Sequence, residues 1–212
     1  MTQWNEIYKK EEDFSYYDFN NPHPDIPSLF KSFPKESKIL DLGCGSGRNL
    51  VFLAKKGFQM YGLDNAEKGL KTIKTKLKKE KLNASFENQS FFQTLPYQDN
   101  FFDILISIQA IQHGSESEIK KAIKEIYRTL KPSGKIFITL CGRYSKGKVR
   151  HCLVKTAKKI APNTYKPTIG KEKDLTHFIY NKSLIKKHFK NFKILKQWKD
   201  NKDYYCFLAQ KR

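Results

Sequence analysis

The chain reads as a doubly wound α/β domain built on a mostly parallel sheet, and three observations predict it. Apolar, strand-like runs alternate with helical patterns through five strands between residues 38 and 140. A glycine-rich turn joins the first of those strands to its helix. The chain closes on two strand-like runs joined by the turn "DNK", which read as a hairpin that completes the sheet. A length of 212 residues suits one such domain and buries a sizeable core without disulfides or metals.

Residues 1–37 form a lead-in. "WNEIYKKEEDFSYY" is amphipathic and predicts a short helix, and "NNPHPDIPSLF", with three prolines, predicts an extended crossing. "KILDL" is the first strand, "RNLVFLAKK" a helix closed by Gly57, and "FQMYGLD" the second strand. In "AEKGLKTIKTKLKKE", Leu70, Ile73 and Leu77 share one helical stripe. "ASFEN" is a third strand, and the near-continuous apolar run "FDILISI" fits a strand covered on both faces. Asp103 begins that strand and reads as structural. Ser115 and Glu118 form a capping box ahead of the stripe Ile119, Ala122, Ile123, Ile126 and Leu130, and Pro132 and Gly134 end that helix before "KIFITL". Residues 141–180 break the rhythm with scattered Gly, Pro and basic residues, and a long irregular segment of that kind reads as functional. A helix at "KSLIKKHF" precedes the terminal hairpin of residues 181–212.

Lys and Arg outnumber Asp and Glu by 41 to 21, a formal charge of +20. Such a balance raises nucleic-acid binding. Yet only five of the 41 are arginine, the residue whose planar fork reads phosphates and base edges. A lysine excess spread along the whole chain reads instead as a compositional bias that solvates helix faces. The four cysteines make no CxxC pair, so neither a zinc knuckle nor a redox motif is expected, and no metal. A polar N-terminus and no run of membrane-span length predict a soluble, cytoplasmic protein.

The turn "ILDLGCGSGRN" carries the chemistry. Strand, glycine loop and helix place backbone N–H groups at the sheet's carboxyl edge, where a nucleotide-like ligand binds. Gly43, Gly45 and Gly47 alternate, and Asp41 stands two residues ahead. A carboxylate there repels a pyrophosphate and suits a ligand with a cationic amine. Asp64 ends the second strand, where a carboxylate accepts both hydroxyls of a ribose.

With "YGLDNAEKGL", "LPYQDNFFDILISIQAIQHG" and "LKPSGKIFIT" in order and at the right spacing, residues 38–140 resemble the class I S-adenosylmethionine-dependent methyltransferases. The resemblance implies a Rossmann-like, seven-stranded, mostly parallel sheet with an antiparallel C-terminal strand, an N-terminal helical lid and an insert after the fifth strand. It also implies S-adenosylmethionine as cofactor and S-adenosylhomocysteine as product. The loop Gly43, Cys44, Gly45 and Gly47, with Asn49 behind it, is expected to pack on the methionine part, Asp41 to organise the loop and amine, Asp64 to hold the ribose, and Asn65 to line the adenine side. Where the family often carries an acid for the adenine amino group, this chain has Phe91. Ser90 or a backbone carbonyl is expected to substitute, while Phe91 and Phe92 stack or pack. Ile108 and Gln109 should lie near the sulfonium.

Methyl transfer from a sulfonium needs alignment in a dry pocket, and a base where the acceptor is a hydroxyl or thiol. His113, just past the fourth strand, and His177, in the insert, are the candidates. Trp4 and Tyr8 are expected to lie over the cofactor, and Tyr16 and Tyr17 with them to wall the acceptor. Arg143, Tyr144 and Tyr165 of the insert should complete the acceptor pocket. The chain lacks the (N/D/S)PP(Y/F/W) motif, the Pro-Cys motif and the acidic metal cluster that accompany other acceptor classes. A small-molecule acceptor is the expected partner, with an RNA or protein acceptor docked through lysines as the alternative.

Overall fold

The computed structural model describes residues 3–8 and 20–212. Tyr16 and Tyr17, assigned above to the acceptor wall, lie outside the described residues. The lead-in holds α1 (Gln3–Ile7) and α2 (Ile26–Leu29). The alternating core follows as β1 (Lys38–Leu42), α3 (Arg48–Lys55), β2 (Gln59–Asp64), α4 (Glu67–Lys79), β3 (Ser85–Asn88), β4 (Phe102–Ile108), α5 (Glu116–Thr129) and β5 (Leu130–Leu140). After the insert come α6 (Lys182–His188), β11 (Phe192–Lys199) and β12 (Tyr205–Lys211).

The seven strands of the main sheet lie in the order β11-β12-β5-β4-β1-β2-β3. β1 to β5 pair in parallel, and β12 runs antiparallel to both β5 and β11, so it alone is reversed. The strand pleat divides the core in two. Leu40, Leu42, Leu105, Ile136 and Ile138 face α5 and α6 on one side. Ile39, Ile104, Ile106 and Phe137 face α2, α3 and α4 on the other. That two-sided burial is why these strands read as unbroken apolar runs. No helix among the described residues is long and apolar enough to cross a membrane.

The capping box at Ser115 is present, with the Ser115 hydroxyl accepting from Glu118 N and the Glu118 carboxylate accepting from Ser115 N. Asp103 is structural, accepting from Lys38 N at 2.9 Å and pairing with Lys131 at 2.7 Å. The loop ahead of β4 is stapled to α5 by Arg128, which donates to the carbonyls of Leu95 and Tyr97 and to Glu125 and Asp99.

Three local expectations need correcting. The proline-rich stretch is not an extended crossing throughout: Pro27 sits in the first turn of α2, where its missing N–H costs nothing. Pro132 and Gly134 do not separate helix from strand by a free turn. Leu130 pairs with Phe102 and Lys135 with Ile104, and residues 131–134 bulge out between them, with Ser133 at φ 61°. The insert is also more ordered than its composition suggests. It holds the hairpin β6 (Tyr144–Ser145) and β7 (Lys148–Val149), a π-helical turn at His151–Lys155, and a three-stranded sheet β10-β9-β8 formed by β8 (Lys158–Ala161), β9 (Thr164–Lys166) and β10 (His177–Phe178). Strands this short carry too few residues to show a period, and Pro162–Asn163, with Asn163 at φ 57°, is the two-residue turn between β8 and β9.

Candidate active site

A cavity of about 660 Å³ opens at the carboxyl ends of β1, β2 and β4. Its floor is the glycine turn. Gly43, Gly45 and Gly47 all take positive φ (79°, 54° and 81°), so each needs glycine for its backbone alone. Each also lacks room for a Cβ. At Gly43 a Cβ would strike Ala110, at Gly45 the Tyr8 hydroxyl, and at Gly47 it would lie 2.6 Å from Ile73. Gly43 and Gly45 line the cavity, whereas Gly47 lets α4 pack against the turn.

The turn is tied to the end of β2. Gly43 N and Cys44 N donate to Leu63 O at 2.8 and 3.2 Å, and Gly45 N donates to the Asp64 carboxylate at 2.8 Å. The other Asp64 oxygen accepts from Ala66 N at 2.8 Å. Burial raises the Asp64 carboxyl, and those N–H groups oppose the rise. Asp41 lies beneath the turn, 1% exposed, and its Oδ2 has no hydrogen-bond partner. Burial lifts its pKa from 3.8 to about 7, against the pull of Arg48 and with the help of Asp64. A buried, unpartnered carboxylate oxygen is what a cationic amine would satisfy.

The remaining walls come from several elements. Asn65 and Ser90 flank the ends of β2 and β3, and Phe91 and Phe92 meet edge to face at 4.6 Å. Phe91 closes the space beside Gly43, and Phe92 fills the space that Gly114 leaves by having no side chain. Ile108 and Gln109 end β4, and Gln109 is held at φ 56° by donating its N–H to the Thr139 hydroxyl at 2.8 Å. Strain of this kind persists where surrounding structure over-determines it, often at functional sites. From α1, Trp4 and Tyr8 reach the cavity, with Trp4 edge-on to His113 at 5.1 Å. Asn5 accepts from Lys68 N at 3.1 Å, so α1 caps the first turn of α4. Burial pushes the Tyr8 hydroxyl well above its ordinary value, which keeps it protonated.

His113 lines the cavity. Its Nε2 meets Gln109 O at 3.1 Å, and its Nδ1 makes no hydrogen bond of normal geometry. Burial lowers its pKa to about 4, although the backbone at Gln109 and Thr176 favours the charged form. The ring is therefore neutral at physiological pH. His177 stands behind it, ring to ring at 4.6 Å and 1% exposed, and does not line the cavity. Burial, then the neighbouring His113, pushes its pKa well down. Its 3.3 Å approach to Glu172 is thus a contact of a neutral imidazole and not an ion pair.

Asn49 lines the cavity while its side chain accepts from His23 N at 2.8 Å, holding the lead-in. Arg143, Tyr144 and Tyr165 are not among the lining residues. Tyr144 is half exposed in the β6–β7 hairpin, and Arg143 donates to the Tyr165 hydroxyl at 3.1 Å, within the insert's own packing. In their place the cavity is lined by Arg150, Cys152, Lys171 and Glu172 of the insert and by Lys202 and Tyr204 of the β11–β12 loop. Arg150 braces the two segments. It donates to Gly142 O at 3.0 Å and Lys202 O at 2.8 Å, and its guanidinium stacks over Tyr204 at 4.7 Å. One signal in the sequence did point to the hairpin tip. A strand reversed against β5 brings its own start beside the end of β5, and Tyr205 indeed pairs with Leu140.

Residues 39–134 match the family described as "Methyltransferase domain". That match places a methyltransferase domain over the alternating core, from β1 into β5. Among similar proteins is the tRNA (carboxymethyluridine(34)-5-O)-methyltransferase of Arabidopsis thaliana, 36% identical over 118 residues, which cover 55% of this chain and 27% of that protein. Another is phosphoethanolamine N-methyltransferase 2 of Caenorhabditis elegans, 34% identical over 121 residues, 56% of this chain and 27% of that one. The chain spans between about a quarter and a half of the length of the curated relatives it matches. A crystal structure of a Pyrococcus horikoshii OT3 protein superimposes with a TM-score of 0.73 at 24% identity, over 97% of this chain and 93% of that one, and shares the fold. The residues present fit the family's cofactor: Asp41, just outside the cavity lining, has a buried oxygen with no partner, which suits an amine, and the Asp64 carboxylate lines the cavity at the end of β2.

Proposed function

We propose that the protein transfers a methyl group from S-adenosylmethionine to a small-molecule acceptor by in-line displacement. The bound cofactor supplies an electrophilic methyl on a sulfonium whose leaving group is already activated. This chain's residues bind, align and keep water out. Asp41 and the Gly43–Gly47 turn take the methionine end, Asp64 the ribose, and Ser90 and Phe91 the adenine side. Trp4 and Phe92 wall the cavity with apolar rings that exclude water. His113 walls the cavity as a neutral ring, and with a pKa of about 4 it is a weak proton store.

The observation that carries the small-molecule reading is that the insert, α1 and the hairpin tip converge on the same cavity as the glycine turn, and its about 660 Å³ is shared between cofactor and acceptor. A second reading, an RNA acceptor, is favoured by Arg48, Lys146, Arg150, Lys171 and Lys202 along the same cavity and by the similarity to a tRNA methyltransferase.

An assay for S-adenosylhomocysteine release, run on fractionated small-molecule pools and on unmodified tRNA, separates the two. Turnover on a small-molecule fraction is expected. Methyl incorporation into tRNA alone would transfer the assignment to RNA. The cofactor is checked separately by thermal melting. S-adenosylhomocysteine at about a hundred times its dissociation constant should raise Tm by roughly 5–11 °C, and NADH should not.

A further inference from the structure

We infer that His23, Asp200 and Cys206 form a binding site for a divalent cation of the zinc type, next to the main cavity but outside its lining. One nitrogen, one oxygen and one sulfur from these side chains lie within 4.8 Å of one another. His23 Nε2 and Asp200 Oδ2 are 3.2 Å apart, close to the ~3.3 Å edge of a tetrahedron with ~2.0 Å metal–ligand bonds. A mixed set of imidazole, carboxylate and thiolate selects a borderline cation such as Zn²⁺ over Mg²⁺ or Ca²⁺.

The surroundings are those of a built site. His23 is 2% exposed, Cys206 0%, and the Asp200 side chain 5%. Asp200 Oδ1 accepts from Lys202 N at 2.9 Å and Tyr204 N at 2.8 Å, which fixes the carboxylate and leaves Oδ2 turned to His23. On the far side of the imidazole, Asp25 Oδ2 lies 3.8 Å from Nδ1 and is anchored by the Trp198 indole N–H at 2.8 Å. Without a cation Nδ1 accepts from Asp25 N at 3.3 Å; once Nε2 ligates, Nδ1 carries the proton and the neighbouring Asp25 carboxylate is placed to receive it. Beside His23 and Asp200 a cavity of about 30 Å³ has room for one water, which completes the coordination.

Without a cation, His23 Nε2–H donates to Asp200, and the Cys206 thiol points at Tyr204 O, 3.7 Å away. Cys206 is fully buried, so its thiolate needs a cation beside it. Coordination forms the metal–sulfur, metal–nitrogen and metal–oxygen bonds, breaks the Asp25 N–H contact to Nδ1, moves the imidazole proton from Nε2 to Nδ1 facing the Asp25 carboxylate, and releases the thiol proton to solvent. The cation then ties the lead-in to the terminal hairpin whose tip, at Lys202 and Tyr204, lines the main cavity. The site stands whether or not that cavity transfers methyl groups. His23 lies far from Asp200 and Cys206 in the chain, so no local spacing announces it.

The test is a Co²⁺ titration of the full chain after chelator treatment, followed by absorbance. One equivalent should bind with a thiolate-to-cobalt charge-transfer band and be displaced by Zn²⁺. Cys206→Ala should lose that band, and Cys152→Ala, which removes the other cysteine beside a histidine, should keep it. Asp200→Asn retains the turn-forming oxygen and should weaken binding about tenfold or more, so it decides the matter if Cys206→Ala fails to fold. Absence of a one-equivalent transition, a band that survives Cys206→Ala, or Asp200→Asn binding as tightly as the parent overturns the site.

Discussion

The two ends of the cavity are built differently. At the cofactor end, Gly43, Cys44, Gly45, Asp64 and Ile108 all sit at or just past the carboxyl ends of three adjacent parallel strands. Their positions follow from strand pairing, since Asp41 pairs with Gly62 and with Ile106. At the opposite end, Arg150, Gly170, Lys202 and Tyr204 come from the residue after β7, a loop and the β11–β12 tip, held by side-chain bonds such as those of Arg150. A sheet edge gives a rigid and repeatable floor, while loops braced by single side chains can be remade for another acceptor without disturbing the floor.

If that contrast holds, damage at the floor should destroy cofactor binding and damage at the brace should not. The largest effect is expected from Asp64→Ala, which leaves the N–H groups of Gly45 and Ala66 without their partners and removes a carboxylate from the cavity wall. Calorimetric titration should show S-adenosylhomocysteine affinity lower by at least about 100-fold, near 2.7 kcal/mol. A loss under threefold would mean that the turn holds its shape, and the ligand its grip, without Asp64.

A smaller effect is expected from pH. Asp41 has a folded-state pKa of about 7 against an ordinary 3.8, so the free protein is favoured with this group protonated, and that stability is lost as pH rises from about 4 through 7. A cationic amine bound at Asp41 needs the ionised form. Affinity for S-adenosylhomocysteine should therefore strengthen up to about tenfold per pH unit below about 7 and level off above it. The slope should vanish in Asp41→Asn, and a slope of unchanged size there would assign it to another group.

The smallest effect on the cofactor is expected at the brace. Arg150→Ala removes the donors to Gly142 O and Lys202 O and the stacking on Tyr204. Cleavage within residues 141–180 should accelerate in limited proteolysis, with stability lower by about 2 kcal/mol. S-adenosylhomocysteine affinity should stay within about twofold. A large affinity loss would mean that the two ends are coupled and that the contrast between them is false.

The same division separates what was legible in the sequence. Ile39 to Asn49 announces its own turn, because a strand, alternating glycines and a helix start are all local signals. Ser115 with Glu118, Gly57 after α3, and the terminal hairpin were legible for the same reason. Within the site, Gly43, Gly45, Asp64, Asn65, Phe91 and Ile108 line the cavity as their places at strand ends imply. Gly47 shows where that reading stops: its missing side chain serves Ile73 of α4 and not a ligand.

Arginine choice in the insert could not be read locally. Arg143 and Arg150 lie seven positions apart in similar surroundings, and only the β6–β7 hairpin turns Arg150 to the cavity and Arg143 to Tyr165. The amino-acid sequence by itself determined the alternating strands and helices, the two-faced core and the cofactor floor, because each depends on residues within a turn or a strand of one another. The acceptor wall, the buried neutrality of His113 and the meeting of His23 with Asp200 and Cys206 were decided by the tertiary structure. Each depends on which distant segments the reversed strand and the lead-in bring together, and on how much water that packing excludes.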